Sequence, residues 1–226
     1  RSGGSLWILG TPPIPPSGFR KSSDPFLFDS DNQWSSVAAG EYHGLGIKRD
    51  GTLWGWGSNS DLQLGFAWTS STSGFSAERP VQIGTANNWA SVSASGNLSI
   101  GLRADGSLWR WGGGAPWSGL PPADYGPTRV GADANWVQAI AAFGEIVARK
   151  NDGRIYRINS SEASQIGTDA DWSFIGVTRD ARIIAQKSDH RVYSWFMFPP
   201  FFGRNDNANS VLGDGTTVQR LSPTYI

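Results

Sequence analysis

The sequence contains no cysteine, which excludes disulfide bonds and thiolate metal sites. Nineteen basic side chains balance nineteen acidic ones, and a chain without net charge has no general attraction for nucleic acid or an anionic membrane surface. Long hydrophobic runs are missing too. The longest, Trp195 to Phe202, has eight residues including two prolines, whereas a membrane-spanning helix needs about twenty. We therefore expect no metal, no cofactor, no nucleic-acid partner and no membrane insertion.

Self-similarity is the main positive feature of the chain. The segment from Trp34 to Gly57 aligns without gaps with the segment from Trp89 to Gly112. A third copy starts at Trp136 and keeps the same frame, and a fourth starts at Trp172 and keeps it with one extra residue. The turn aspartate stands sixteen positions after the leading tryptophan in the first three copies, and seventeen positions after it in the fourth. Ahead of them, Gly3 to Gly10 matches only the second half of the pattern.

Each copy has the pattern of four short β-strands. Small and β-branched residues make the first two strands, an Asp-Gly pair such as Asp50-Gly51 supplies the hairpin turn, and an alternating tryptophan-rich run makes the third. The fourth follows a connection of variable length and contains a proline, as at Pro80, which suits an edge strand. Leading tryptophans stand 55, 47 and 36 residues apart, a range typical of propeller blades.

The segment from Val37 to Gly65 resembles the regulator-of-chromosome-condensation repeat, and the segment from Val211 to Ile226 looks like the end of such a repeat. Members of that family form propellers, typically of seven blades, so the resemblance implies the same fold here. We predict an all-β chain that forms a β-propeller, or an arc of one, from four-stranded blades with four complete repeats and one half repeat. The predicted blades of this single, partial domain cover approximately residues 1–30 (half), 31–84, 85–131, 132–167 and 168–226.

The half repeat starts at its third strand, whereas the last repeat finishes after its fourth strand. The two ends therefore do not complete one blade between them. A ring closed within this chain would leave an unpaired sheet edge. We expect a partial chain, an open arc, or completion by another polypeptide.

Candidate catalytic residues are few. His43 has no second ligand in the repeat frame and is expected to hydrogen-bond inside its blade, while His190 replaces a turn glycine and should face solvent. The turn aspartates recur once per repeat, so no two of them face one substrate as acid-base catalysis requires. These aspartates are Asp50, Asp105, Asp152 and Asp189. We predict that the protein is not an enzyme.

Aromatic residues in the variable connections form the predicted functional site. The stretch from Ser194 to Gly203 places four phenylalanines, a tryptophan and a methionine around a Pro-Pro pair, and the predicted insertion runs approximately from Phe196 to Phe201. Each phenylalanine buries about 150 to 250 Å² when covered, so four left open exceed the largest apolar patch of a typical monomer. Local packing against the blade is the alternative. The predicted partner-binding residues are Trp195, Phe196, Phe198, Phe201, Phe202, Phe66, Trp68 and Trp117.

Three functions fit these features. The first is a non-enzymatic protein-binding or assembly module, in which a rigid propeller presents its aromatic insertions to a protein partner or to assembly neighbours that supply the missing strands. An extracellular, cell-surface or virion setting is favoured for it. The resemblance implies an alternative, a guanine-nucleotide-exchange or chromatin-type regulator, which should have a basic face. A glycan-binding or glycan-processing protein is the third possibility, and processing would require clustered carboxylates.

Overall fold

The structure is a computed structural model, and it describes residues 4–8, 25–31, 33–66, 76–113, 126–159, 163–178, 181–197, 212–216, 218 and 220–226. Within these ranges the regular secondary structure consists of eighteen β-strands. A helix long and apolar enough to cross a membrane does not occur in them. The chain divides into two compact units, Arg1–Ala134 and Asn135–Ile226.

The first unit contains one two-stranded sheet and two four-stranded sheets, all antiparallel. The two-stranded sheet pairs β1 (Leu6–Ile8) with β2 (Phe26–Asp29). The first full blade has the order β3-β4-β5-β6 and the second β7-β8-β9-β10. Their strands are β3 (Trp34–Ala39), β4 (His43–Lys48), β5 (Leu53–Ser58), β6 (Ser76–Gln82), β7 (Trp89–Ser95), β8 (Leu98–Arg103), β9 (Leu108–Gly112) and β10 (Thr128–Arg129).

The second unit contains two antiparallel four-stranded blades, with the orders β11-β12-β13-β14 and β15-β16-β17-β18. The first of these blades consists of β11 (Trp136–Ala142), β12 (Glu145–Lys150), β13 (Ile155–Ile158) and β14 (Ala163–Gln165). The second consists of β15 (Trp172–Val177), β16 (Arg182–Lys187), β17 (Val192–Phe196) and β18 (Thr224–Tyr225). The predicted all-β fold of four-stranded blades is confirmed, while the single domain and its blade boundaries stay a prediction.

The Asp-Gly turns explain why the second and third strands of a blade meet so regularly. Asp50 Oδ1 accepts hydrogen bonds from the amide and the hydroxyl of Thr52, at 3.0 and 2.7 Å. Gly51 has φ of +80°, a left-handed conformation that glycine adopts without steric cost. Asp105 and Ser107 repeat the arrangement at 2.9 and 2.6 Å. These hydrogen bonds, led by the side-chain one, lower the pKa of both aspartates and confirm the predicted turn role.

A tryptophan, a second aromatic ring and a cation pack together in every full blade. Trp34 begins β3 and meets the Trp54 ring edge-on, with centroids 6.3 Å apart, and Lys48 Nζ lies 5.2 and 3.9 Å from the two centroids. The other blades place Arg103 on Trp89 and Trp109, Lys150 on Trp136 and Tyr156, and Lys187 on Trp172 and Tyr193. These stacks fix the first hairpin of a blade to its third strand.

Main-chain hydrogen bonds join neighbouring blades within each unit. In the first unit the Trp89 amide donates to the carbonyl of the turn residue Gly51 at 3.1 Å, and in the second the Trp172 amide donates to Gly153 at 3.3 Å. A side chain adds to this in the second unit. The Gln138 side-chain amide donates to the Ile175 carbonyl at 2.7 Å and accepts from the Ile175 main-chain amide at 3.0 Å. These two hydrogen bonds have the pattern of main-chain pairing between antiparallel strands, and they join two blades.

Candidate functional site

Two kinds of loop lie at one edge of a blade: the turn between the first and second strands, and the connection that leaves the third strand. Antiparallel pairing brings them together. In the first unit the Ser58 amide donates to the Tyr42 carbonyl at 2.7 Å, and in the second the Met197 amide donates to Ala181 at 2.8 Å. This edge of each blade is named the variable edge, because the connections of variable length start there. Its described turns are Glu41–Tyr42, Gly96–Asn97 and Phe143–Gly144, and its connections follow Ser58, Gly112, Ile158 and Phe196.

Exposed aromatic side chains occupy the variable edge in both units. Tyr42 is 54% exposed in the first unit, and Phe143 is 51% exposed in the second. Phe143 also has φ of +52°, which is uncommon for a residue with a side chain. A hydrogen bond to the Glu41 carboxylate raises the pKa of Tyr42. Sequence reasoning missed Tyr42 and Phe143, although the signal was present as an aromatic residue between the first two strands of a repeat.

Trp195 and Phe196 belong to β17 and lie in the interior of their blade. They are 1% and 4% exposed, and the Trp195 ring lies 5.8 Å from that of Trp172. The Phe196 amide donates to the Arg220 carbonyl at 2.8 Å. The third strand therefore extends through Phe196, one residue into the predicted insertion.

The remaining predicted contact residues divide into two groups. Phe66 is partly buried and packs against a core cluster that includes Leu45, Ile83 and Trp111. Trp68, Trp117, Phe198, Phe201 and Phe202 lie outside the described residues. A partner-binding role for the aromatic set stays a prediction.

His43 takes part in a buried network between the two full blades of the first unit. Its Nε2 atom lies 2.8 Å from Ser99 Oγ, and Ser99 Oγ donates to the Gln63 carbonyl at 2.7 Å. Trp111 Nε1 donates to the same carbonyl at 3.0 Å. Because the single hydroxyl proton of Ser99 is directed at Gln63, the imidazole donates from Nε2. The prediction of a hydrogen bond inside one blade was wrong, since the partner lies on β8.

Burial determines what the His43–Ser99 pair can do chemically. Both side chains are 0% exposed, and burial lowers the pKa of His43 to about 4, so the imidazole is neutral at physiological pH. A serine that donates to a main-chain carbonyl and has no access to solvent is not placed to attack a substrate. The role of the pair is structural, because it holds the first full blade against the second. His190, by contrast, is exposed in a turn with φ of +69°, as predicted.

Carboxylates near the repeat boundaries are paired with cations. Asp169 and Asp171, which superficially suggest a calcium loop, lie 2.9 and 3.1 Å from Lys187 Nζ. Asp31 pairs with Lys48 in the same way at 2.6 Å, and the hydrogen bond from Lys48 lowers the pKa of that carboxyl. Among the residues that the structure describes, no three His, Asp or Glu side chains converge on a metal site. The absence of metal and cofactor from the whole protein stays an expectation.

Repeated four-stranded antiparallel blades with a leading tryptophan and an Asp-Gly turn define a repeat protein of the β-propeller type. Residues 34–63 and residues 50–102 each match a family model of the regulator of chromosome condensation (RCC1) repeat. Residues 34–102 of the chain therefore carry RCC1-type repeats.

One relative and several solved structures are similar to this chain. Protein pim1 of Schizosaccharomyces pombe is 25% identical over 151 residues, which are 58% of this chain and 28% of pim1. The structure of human WBSCR16 matches with a TM-score of 0.73 at 17% identity, over 100% of this chain and 60% of that one. Prp20p from Saccharomyces cerevisiae has a TM-score of 0.73 at 16% identity, over 98% and 59%. The chain spans less than two thirds of each relative, and the structural likeness shows the fold.

Proposed function

We propose that the chain is a protein-binding or assembly module that acts through the variable edge without catalysis. The observation that carries the proposal is the exposure of Tyr42 and Phe143 on hydrogen-bonded hairpins of that edge. Exposed aromatic residues on rigid hairpins lose little conformational freedom on association, and aromatic residues are enriched at the centres of protein interfaces. The connections with Trp68, Trp117, Phe198 and Phe201 start from the same edge of their blades.

Relatives with the same fold support a protein partner. The structure of Prp20p was described together with its binding properties to Gsp1p and histones, and another structure contains Kap60 bound to yeast RCC1 (Prp20). These statements concern Prp20. They favour protein binding as the general role of a propeller of this type.

The two-stranded sheet supports the assembly part of the proposal. The four other sheets have four strands each, whereas β1 and β2 form a sheet by themselves among the described residues. A sheet edge of this kind accepts further strands readily. We infer that this sheet receives strands from a further polypeptide segment or an assembly neighbour. An external setting, on a cell surface or a virion, stays a prediction.

A regulator of the exchange-factor or chromatin type is the second candidate, favoured by the likeness to pim1 and Prp20p. Binding of the purified chain to Gsp1p and to histones, measured side by side by biolayer interferometry, tests it. Affinity for either that survives about 0.15 M salt would support this candidate, because weak charge-driven contacts are screened there. Loss of all binding would leave the general protein-binding proposal in place and remove the regulator.

Site-specific photo-crosslinking tests the variable edge. A photoreactive amino acid is placed at Tyr42 or Phe143, and at Ala104 or Ser188 as controls. The control positions are exposed and lie at the turn between the second and third strands, which is Asp-Gly after Ala104 and Asp-His after Ser188, on the opposite edge of their blades. In extract of the source organism, we expect several-fold more adduct at the variable edge than at the controls. Equal adduct at all four positions would contradict the proposal.

The predicted aromatic insertion, approximately Phe196 to Phe201, is tested in the same extract. The double substitution Phe198→Ser and Phe201→Ser should reduce adduct formation from Phe143, which belongs to the same unit, and leave the thermal unfolding temperature unchanged. A double variant that unfolds at a clearly lower temperature would show that these side chains belong to the core.

A further inference from the structure

Two of the cations that stack on aromatic rings also contact a carboxylate. In the first full blade Lys48 Nζ lies 2.6 Å from Asp31, and in the last blade, β15-β16-β17-β18, Lys187 Nζ lies 2.9 Å from Asp169. Each of these aspartates stands three residues before the leading tryptophan of its blade. The carboxylate and the rings hold the ammonium group at the edge that carries the turn between the second and third strands, here named the turn edge.

The second full blade lacks this carboxylate. Ala86 stands three residues before Trp89, at the place that Asp169 occupies in the last blade. The connections that lead to these two positions begin alike, because Gly84 and Gly167, each five residues before a leading tryptophan, have φ of +64° and +66°. A methyl group therefore stands in the second full blade where a carboxylate stands in the last one.

Arg103 is the stacked cation of the second full blade. Its guanidinium carbon lies 4.8 Å from the Trp89 ring centroid and 3.8 Å from that of Trp109. Within the described part of the chain, its buried Nε atom has no hydrogen-bond partner, and the ion pairs do not include Arg103. A guanidinium that is oriented by two rings and lacks an acid keeps its planar set of donors for another anion.

A second arginine, Arg129, lies on the same face of this blade. It is the partner of Trp109 in the pairing of β10 with β9, and paired residues of antiparallel strands project to one face of the sheet. Arg129 therefore flanks the ring that Arg103 covers. It is exposed, and its Nη2 atom donates to the Ala132 carbonyl at 2.9 Å. The equivalent residues of the first full blade and of the first blade of the second unit are uncharged, Gln82 and Gln165.

The turn residue Asp105 is the described carboxylate on which both arginines act. Hydrogen bonds from Ser107, and after them the charges of Arg129 and Arg103, lower the pKa of Asp105. Its Oδ1 atom accepts the Ser107 amide and hydroxyl at 2.9 and 2.6 Å, and the ion pairs between described residues do not include Asp105. Two guanidinium groups and one carboxylate leave an excess of positive charge at this turn.

We propose that Arg103 and Arg129 bind a carboxylate from outside the chain, which is either an acidic side chain of a protein partner or a small carboxylic acid. The carboxylate takes the place that Asp31 takes beside Lys48, and the stacked guanidinium of Arg103 donates to it. Arg129 adds a second positive charge at the exposed side. The site goes beyond the proposed function, because it lies at the turn edge and not at the variable edge.

A titration followed by nuclear magnetic resonance tests the site. Succinate, a short polyglutamate peptide and sulfate are added separately to the isotope-labelled chain at low salt, where charged contacts are least screened. Saturable shifts of the Arg103 Nε–Hε signal and of the Trp109 indole signal are expected with both carboxylate ligands. The Arg103 signal is identified by its loss in the variant Arg103→Gln.

Ala86→Asp is the most specific variant, because it supplies the carboxylate from within the chain. It should weaken carboxylate binding about tenfold and raise the thermal unfolding temperature. Arg103→Gln should weaken binding about tenfold and Arg129→Gln about threefold, since each removes a charged donor. Arg191→Gln is the matched control. It removes an exposed arginine beside the equivalent turn of the last blade and should leave binding unchanged.

The outcomes separate the two sources of the carboxylate. Peptide binding about tenfold tighter than succinate binding would identify an acidic segment of a partner, and equal affinities would identify a small carboxylic acid. Sulfate binding as tight as either would overturn the assignment to a carboxylate. The site itself would be overturned by shifts that do not saturate, or by unchanged binding in Arg103→Gln and Ala86→Asp. An acidic partner segment would add crosslinked adduct at Ala104 but not at Ser188, so comparison with Ser188 keeps the test of the variable edge separate.

Discussion

Nε2 of His43 on β4 lies 2.8 Å from Oγ of Ser99 on β8, so a fully buried side-chain hydrogen bond joins two neighbouring blades. Ser99 uses its own proton toward the Gln63 carbonyl, which fixes the direction of the bond. A charged imidazole at this position has no water to solvate it. The neutral form of His43 is therefore part of the folded state.

Stability should fall as the solution is acidified between about pH 6.5 and about pH 4. Burial lowers the pKa of His43 from 6.5 to about 4, so the unfolded chain takes up a proton before the folded chain does. The stabilisation is complete above the unfolded pKa and is lost as the pH falls through the folded one, by about 3 kcal/mol in all. Urea unfolding followed by tryptophan fluorescence at several pH values measures this slope.

The substitution His43→Leu serves as the control for that slope. Leucine occupies the equivalent position, Leu98, in the next blade. The variant should lose about 1 to 3 kcal/mol near neutral pH, since Ser99 keeps a buried oxygen without its donor. It should also show little dependence on pH in the same window. A slope equal to that of the unsubstituted chain would assign the acid sensitivity to other groups.

Gly51→Ala should destabilise the first unit by at least about 2 kcal/mol. A methyl group there would lie 2.0 Å from the Asn87 main-chain oxygen, and φ is +80°. Gly84→Ala is the matched control, because Gly84 has φ of +64° and nothing within 4 Å of the added carbon. That change should cost about 1 kcal/mol. Comparable midpoints of urea unfolding for the two variants would contradict the steric argument.

Lys187→Met should lower stability by about 1 kcal/mol and reduce its dependence on salt. Lys187 Nζ lies 2.9 and 3.1 Å from Asp169 and Asp171, and it also lies over the Trp172 ring at 5.1 Å. Methionine keeps most of the aliphatic contact and removes the charge. The exposed pair of Arg191 and Asp189 gives the comparison, and Arg191→Gln should cost less than about 0.5 kcal/mol. Denaturation at low and high salt measures the salt dependence of the unfolding free energy for both variants. An equal salt dependence for Lys187→Met and Arg191→Gln would contradict this prediction.

Trp195→Ala should destabilise the second unit by about 3 to 5 kcal/mol. The side chain is 1% exposed and belongs to a cluster with Trp172, Ile183 and Met197. Phe174→Ala, at a position 53% exposed, should change the unfolding free energy by less than about 1 kcal/mol. Thermal unfolding distinguishes them. If Trp195→Ala unfolds at the temperature of the unsubstituted chain, the interior placement of Trp195 is wrong and its predicted place in the contact patch is favoured.

Local patterns were sufficient to predict the blades. The spacing from Trp34 to Asp50 contains two strand lengths, and the Asp-Gly pair has a turn preference of its own, so neither feature needs knowledge of distant residues. Contacts between blades could not be predicted from such local patterns. His43 and Ser99 are 56 positions apart, and the packing of β4 against the neighbouring blade at β7 brings them together.

Strand ends and side-chain direction were predicted less well than the repeat. An aromatic run shows no strand boundary, and Phe196 is held in β17 by pairing with Arg182 and by the Arg220 carbonyl, 24 positions later. The cation over each aromatic pair had a visible signal, a Lys or Arg two residues before every turn aspartate. The sequence pattern alone does not show that this cation lies over two aromatic rings, because the cation and the rings belong to three strands that come together only on folding.

The hydrogen bond from a leading tryptophan amide to the glycine carbonyl of the preceding turn uses main-chain atoms alone. Apart from the glycine with its positive φ, this hydrogen bond makes no demand on the side chains at either side of it. Gene duplication or loss of a whole repeat could therefore produce a chain that joins correctly at once, before any compensating substitution arises. Repeat number in such proteins can then change faster during evolution than the interior of a single repeat, where Trp, Lys and Asp are tied to one another.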